Sequence, residues 1–327
     1  MSLSSLLELW RKTPTIAENI TAWKLFPARP AQTVPFPAEL HPALLRTLRA
    51  QGIPSLYTHQ AEAWDHVQAG RHLTVVTGTA SGKTLGYNLP VLDHILGNLQ
   101  TRALYLFPTK ALAHDQAELL HQLIAETRKG PVPDDDPPFS DQLAAVGVAT
   151  YDGDTPAGIR PTIRSNARIV LSNPDMLHTA ILPHHTKWAE FLGHLRYVVI
   201  DEMHVYRGVF GSHVANLLRR LKRVARFYGS RPQFILTSAT IANPAELAEQ
   251  LIEASVTLIV NDGAAKGPKH FLIYNPPVVD VELGLRRSVL QESIRLTQEL
   301  LQQNVQTIVF GRARRTIELL LRYLREA

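Results

Sequence analysis

Thr77-Gly78-Thr79-Ala80-Ser81-Gly82-Lys83-Thr84 follows the apolar run 73–76 and precedes a stretch that reads as a helix starting near Lys83. A strand, a glycine-bearing turn and a helix in that order aim backbone N–H groups and a helix N-terminus at one point, a place suited to phosphate. The strict pattern G-x-x-x-x-G-K-[ST] has glycine where this chain has Thr77, and Ala80 stands where glycine is frequent. The remaining chemistry is intact. Lys83 can reach the β- and γ-phosphates of a nucleoside triphosphate, and Thr84 can offer a hydroxyl to magnesium. A chance glycine turn is the bland alternative, and the strand-turn-helix context argues against it.

Further short runs rich in β-branched and aromatic residues predict strands over 73–77, 102–107, 143–150, 168–172, 196–200 and 233–237, with helical stretches between most of them. That alternation predicts an α/β fold with a mostly parallel sheet covered by helices on both faces. In such sheets ligands sit outside the carboxyl ends of the strands. Asp201-Glu202-Met203-His204 falls at one such end. Neighbouring carboxylates there can divide the work, Asp201 holding magnesium while Glu202 orients and deprotonates a water. An Asp-Glu pair alone is weak evidence, because strands commonly end in polar residues; after a phosphate loop, in this order, it is strong.

Ser238-Ala239-Thr240 ends another strand. His204 can bridge the nucleotide site to Ser238 and Thr240, whose hydroxyls can relay the state of the γ-phosphate. The simpler readings are a packed histidine and a cap for the helix after Asn243-Pro244. Gln60, one helix before the loop, can read an adenine edge through its amide, and Tyr57 can stack on the base. An ordinary helix start accounts for both equally well. Three more strand ends carry small hydroxyls, backbone N–H groups and a lysine, suited to a phosphate backbone without base readout. They are Pro108-Thr109-Lys110, Tyr151-Asp152-Gly153-Asp154-Thr155 and Ser172-Asn173-Pro174-Asp175. Taken singly, each also reads as a turn with a cap. The helix predicted over 212–228 bears Arg219, Arg220, Lys222, Arg223 and Arg226 opposite an apolar stripe, and a solvated basic face is favoured over a DNA groove.

The 327 residues carry a net charge of +5, are 45% hydrophobic and contain no cysteine. This excludes disulfides and Cys-ligated zinc or iron–sulfur clusters within them, and the 14 histidines show no metal-binding spacing. The apolar patch 3–10 is followed, not preceded, by Arg11 and Lys12, unlike a signal peptide. No run has the length of a membrane span, so a cytoplasmic protein without membrane association is expected. Four prolines and four aspartates across 128–141 predict a surface loop, and Asp134–Asp136 lacks the spacing of a calcium loop. The expected division is an N-terminal extension over 1–50, a nucleotide-binding lobe over 51–262 and the start of a second α/β lobe over 263–327. That second lobe is predicted to hold a strand over 270–274, a helix over 287–303, a strand over 305–310 and a helix over 312–325.

The series LYTHQ, TGTASGKT, FPTKALA, YDGDT, SNPDML, DEMH and SAT resembles the first RecA-like lobe of superfamily 2 helicases. YDGDTP, SNPDMLH and DEMHVYRGVFGSHVANLLRRLKR resemble, more narrowly, the YprA-type DEAD/DEAH-box-like DNA helicases. The resemblance implies a RecA-like P-loop lobe followed by the start of a second. It implies a monomeric, ATP- and Mg2+-dependent 3′→5′ DNA helicase serving repair on single-stranded or tailed DNA. Carried over to this sequence, Gln60 contacts adenine, Thr79, Ala80, Ser81, Gly82, Lys83 and Thr84 bind phosphate, Asp201 and Glu202 are catalytic, and Ser238 and Thr240 couple hydrolysis to movement. Pro108, Thr109, Lys110, Gly153, Asp154, Asn173 and Pro174 are the expected nucleic-acid contacts. Family members continue through arginine fingers that this sequence lacks, so the chain is expected to bind ATP, hydrolyse it poorly and unwind nothing alone. An RNA helicase is the nearest alternative, against which PTKAL and DEMH stand in place of PTRELA and DEAD. A nucleotide- and nucleic-acid-binding module without unwinding activity is the non-enzymatic one.

Overall fold

The computed structural model describes residues 3–129 and 146–326, with the side chains of 127–129 left aside. Residues 130–141 of the proline- and aspartate-rich stretch, Asp134–Asp136 among them, lie outside the described residues. The chain forms two compact units, one from Pro30–Ala265 and one from residues up to Arg29 together with those from Lys266 onward.

In the first unit seven strands make one sheet, in the order Thr257–Ile259, Leu73–Val76, Gln233–Ser238, Leu195–Ile200, Arg102–Leu106, Ala167–Ser172, Gly147–Thr150. Every neighbouring pair is parallel. This is the RecA-like arrangement expected from the sequence. Leu73–Val76, Arg102–Leu106 and Gln233–Ser238 are buried at every position, as a sheet covered on both faces requires. Apolar clusters lie on the two faces, one around Leu92, Tyr105 and Trp64, the other around Trp188, Phe191, Leu218 and Phe234. The register pairs Val76 with Ser238, Leu236 with Ile200, Ile200 with Leu106 and Leu106 with Ser172. It therefore puts Thr77 level with Ala239, and Asp201 level with Thr237, Phe107 and Asn173, two positions earlier, all at or near the strands' carboxyl ends.

Thr257–Ile259 is an edge strand that the sequence reading did not name. Three residues are too short to show a period, and its pairing with Leu73–Val76 makes it a strand.

The second unit departs from expectation more. The stretch 1–50 is not one extension. Its helix Leu3–Lys12 and strand Ile20–Phe26 join the later residues, the strand pairing antiparallel with Lys269–Tyr274, whereas Pro42–Ala50 belongs to the large unit. Helices Val289–Gln302 and Arg314–Glu326 complete it. Residues 305–310 form no strand. Their apolar side chains have strand propensity, but a strand needs a neighbour to take its backbone hydrogen bonds, and Ile308 and Phe310 are exposed. Leu6, Leu7, Trp10 and Ile16 form a small core with Trp23, Leu272 and Leu296 against it. Beside it Glu292, almost fully buried, accepts from Tyr274, Arg287 and Arg295 at 2.7, 2.9 and 2.8 Å.

Candidate nucleotide and nucleic-acid site

The phosphate loop leaves Leu73–Val76 and enters the helix Lys83–Gly97 through Gly82, which has a φ of +79°. This is the left-handed region that glycine adopts without strain. A Cβ there would stand 2.6 Å from Gln60 Nε2 and displace that amide, while the positive φ is what calls for glycine. Thr79, Ala80 and Gly82 are exposed, Lys83 and Thr84 half-buried. The Thr77 and Ser81 hydroxyls lie 2.6 Å apart and brace the loop from within. Thr77 thus adds a hydroxyl contact at the position where the strict motif has glycine.

Lys83 Nζ donates to the carbonyls of Thr77 at 3.2 Å and Ser238 at 3.1 Å. One ammonium therefore ties the loop to the end of a neighbouring strand. Asp201 Oδ1 accepts from the Glu202 N–H at 2.9 Å and from the Thr237 hydroxyl. Its second oxygen takes no part in those bonds. Glu202 has φ 51° and ψ 44°, a left-handed conformation costing a non-glycine residue about 1–3 kcal/mol. Glu202 Oε2 is buried and accepts no hydrogen bond. His204 Nδ1 stands 3.1 Å from that oxygen and 3.4 Å from the Ala239 N–H. A single ring nitrogen cannot accept from Ala239 and donate to Glu202 at once. In this structure it accepts, leaving the carboxylate oxygen unsatisfied. The Ser238 hydroxyl is turned to the Ala239 carbonyl at 2.7 Å, and Thr240 is exposed.

Gln60 is buried, with both ends of its amide engaged. Its Oε1 accepts from the Tyr57 N–H and its Nε2 donates to the Gly82 carbonyl, each at 2.9 Å. The amide clamps a helix start to the loop; both sequence readings of Gln60 bear on that position. Tyr57 stacks on His59, with ring centroids 5.8 Å apart. Two residues here were missed by sequence reasoning. Asp262 Oδ2 accepts from the Gly78 N–H at 3.4 Å, bringing a carboxylate against the loop. His59 Nδ1 accepts from the Gly263 N–H at 3.2 Å, so its proton sits on Nε2, which is buried without a partner. Burial holds the pKa of His59 below the ordinary histidine value, against the pull of Asp262. Neither contact shows in the local pattern: His59, inside the LYTHQ series, meets Gly263, and Asp262 meets Gly78, each across about 200 residues of chain.

The remaining strand ends gather as a second group. Lys110 pairs with Asp154 at 2.9 Å, both exposed, and this hydrogen bond raises the lysine's pKa. Asp152 Oδ1 accepts from the N–H groups of Asp154 and Thr155 at 2.8 and 3.1 Å, while Oδ2 meets His114 at 2.8 Å. Burial alone would raise the Asp152 carboxyl; the bonds from His114, Asp154 and Thr155 bring it below the usual range. Asp152 thereby shapes the turn that exposes Gly153 and Asp154. Asn173 Oδ1 accepts from the Met176 N–H at 2.9 Å as a helix cap, and Asn173 and Pro174 are buried. Thr109 Oγ1 likewise accepts from Leu112 N–H at 3.3 Å, and Pro108 is half-buried. Cap and binding roles thus fall on the same residues.

A glycine-bearing turn, an Asp-Glu pair and the end of a third strand thus lie on one parallel sheet of RecA-like helicase fold, as a candidate nucleotide site. Residues 57–247 match the DEAD/DEAH box helicase family, and the chain belongs to it. Within that family it is similar to the YprA type. It is 50% identical over 309 residues to a Bacillus subtilis protein named uncharacterized ATP-dependent helicase YprA, covering 94% of this chain and 39% of that one. It is 37% identical to ATP-dependent helicase HRQ1 of Saccharomyces cerevisiae, over 99% of this chain and 29% of the relative. A crystal structure of the DUF1998 helicase MrfA bound to DNA superposes with a TM-score of 0.91 and 48% identity, covering 100% of this chain and 41% of that one. The chain thus spans well under half the length of these relatives. Among the described residues no helix is long and apolar enough to cross a membrane.

Proposed function

We propose that Pro30–Ala265 is the ATP-binding lobe of an ATP-dependent DNA helicase and translocase. The observation that carries this is that Lys83 ties the glycine-bearing turn to the Ser238 carbonyl, on the strand that lies between it and the strand ending at Asp201-Glu202. The DNA-bound MrfA structure supports DNA as the track. A 3′→5′ direction, a role in repair, a single-stranded or tailed substrate, a monomeric state and a cytoplasmic location follow from the resemblance.

Phosphates bind the N–H groups of 78–84, with Lys83 transferring its ammonium from two carbonyls to the β- and γ-oxygens. Tyr57 and Gln60 meet the adenine. The donors present fit magnesium, which takes one or two protein oxygens beside phosphate rather than a closed protein cage. Thr84 and the second oxygen of Asp201 would hold it, and when bound it neutralises charge on the phosphate oxygens. Glu202 Oε2, buried and unsatisfied, accepts a hydrogen from the attacking water and so aims it at the γ-phosphate. His204, Ser238 and Thr240 transmit occupancy, because release of Lys83 from Ser238 frees that strand end. Pro108, Thr109, Lys110, Gly153, Asp154, Asn173 and Pro174 present the sugar–phosphate backbone with caps and N–H groups.

The test is binding of a fluorescent ATP analogue, with turnover read beside single-stranded DNA and RNA. Lys83→Ala is expected to abolish binding. Glu202→Gln is expected to keep it while lowering turnover by about 10²–10⁴-fold. Failure of the unaltered chain to bind nucleotide overturns the reading, and stimulation by RNA but not DNA replaces it with an RNA-directed one.

A further inference from the structure

The helix Gly208–Phe227 carries more positive charge than its neighbours neutralise. Arg219 is paired with Glu253 at 2.7 Å. Lys222 donates to the Ile252 carbonyl at 2.6 Å, at the end of the helix Pro244–Ile252, where a cation suits the helix dipole. Those two are spent on packing. Arg220, Arg223 and Arg226 have no carboxylate partner among the described residues; the first is half-buried and the other two exposed. Asn216, Arg220, Arg223 and Phe227 recur at spacings of four, three and four, which places them on one stripe. Phe227 ends that stripe with 78% of its surface exposed.

This stripe is continuous with a strand end already described. A cleft of about 430 Å3 is walled by Pro174, His178, Phe210, His213 and Arg220. An adjoining hollow of about 560 Å3 is lined by Arg219, Arg220, Arg223 and Arg226. Asn216 and Arg220 border both. From Asn173-Pro174 the surface therefore leads along the helix, which returns over the sheet for about 30 Å toward the strands' amino ends. Asp175 borders the cleft and Glu253 the hollow, the latter already paired with Arg219.

Unpaired guanidinium groups suit phosphate oxygens, and an exposed aromatic ring among them suits an unstacked base. We propose that this face extends the nucleic-acid path: a single strand passing Asn173-Pro174 continues along Arg220, Arg223 and Arg226 and stacks a base on Phe227. This rests on the DNA reading of the strand ends given above.

The experiment compares the chain's affinity for oligodeoxynucleotides of about 8 and about 30 nucleotides across a salt series. The longer strand should bind more tightly and with a steeper salt dependence. Replacing Arg220, Arg223 and Arg226 together by Gln should lower the longer strand's log–log salt slope by about 2, near 0.7 per phosphate contact, and leave the short strand unaffected. Phe227→Ala should weaken the longer strand by about 5-fold or more at an unchanged slope. Nucleotide binding, read on the same variants, should be unaltered and shows that they fold. Unchanged affinity and slope for the long strand overturn the proposal, as does a triple variant that loses only an added polyglutamate. If the short strand fails to bind, or binds equally with Lys110→Ala, the DNA reading of the strand ends falls first and this extension falls with it.

Discussion

The two units treat their strands differently. In the large one the strand before the phosphate loop is buried at all four positions, and each face of the sheet has its own apolar cluster. In the small one Lys269–Tyr274 alternates between exposed and half-buried positions and pairs with one partner. A sheet enclosed on both faces holds its strand ends in fixed register, and the candidate chemistry is found there. A two-stranded ribbon covered on one face is marginal unaided. The small unit instead relies on Trp10, whose indole donates to Glu299 at 2.6 Å, and on the buried Glu292 cluster. Apolar enclosure on two faces holds one unit, while the other joins a small apolar core to a few polar anchors.

The largest expected effect is in the large unit. Trp188 is 1% exposed and meets Tyr151 and Phe191 edge-on at 4.8 and 5.4 Å. Trp188→Ala should cost about 3–5 kcal/mol, measured by denaturant unfolding. A cost below 1 kcal/mol would show that face to be plastic and break the comparison. Next, Glu292→Ala should cost the small unit about 2 kcal/mol, less than a fully enclosed ion pair because Arg287 and Arg295 are partly solvated. Two of the four tryptophans, Trp10 and Trp23, lie in the small unit, and Trp64 and Trp188 lie in the large one. Removing either pair by Phe lets fluorescence follow one unit at a time, and loss in the large unit's signal instead would refute the assignment.

The smallest effect is acidification. Burial lowers the pKa of His59, His72 and His94, all in the large unit, so they fold neutral. Their contribution is fully present above pH 6.5 and is lost as pH falls through the lowered values. Asp93, raised by burial, acts in the opposite sense. For Glu292 burial would raise the carboxyl, but the bonds from Arg295, Tyr274 and Arg287 bring it below 4.5, so its contribution is kept until below that pH. Between pH 7 and 5 the large unit should therefore lose thermal stability while the small one holds. Equal loss in both, followed through the paired tryptophans, would erase this contrast.

What the sequence revealed divides along the same line. Lys83, Asp201 and Glu202 were legible because a strand, a turn and a helix leave a local pattern, and so was the parallel sheet. Asp262 and His59 were not, since each acts through chain some 200 residues away. Ile20–Phe26 was hidden for the same reason: its apolar residues need Lys269–Tyr274 to become a strand. Residues 305–310 have the right composition and no partner, so propensity alone misplaced them. At Gln60 the two readings stayed level, because a capping bond and an adenine contact ask for the same amide; the helix-start bond to the Tyr57 N–H is seen, and the tie to the Gly82 carbonyl was not foreseen.

The pairing of Ile20–Phe26 with Lys269–Tyr274 also sets an order of events during synthesis. The first segment leaves the ribosome about 240 residues before its partner, which at about 5–20 residues per second is a wait of roughly 12–48 s. Through that interval Trp23, Leu25 and Phe26 emerge with no strand to meet, while the whole large unit is made and can fold beside them. The strand Ile20–Phe26 thus finds its place only after the large unit has been synthesised.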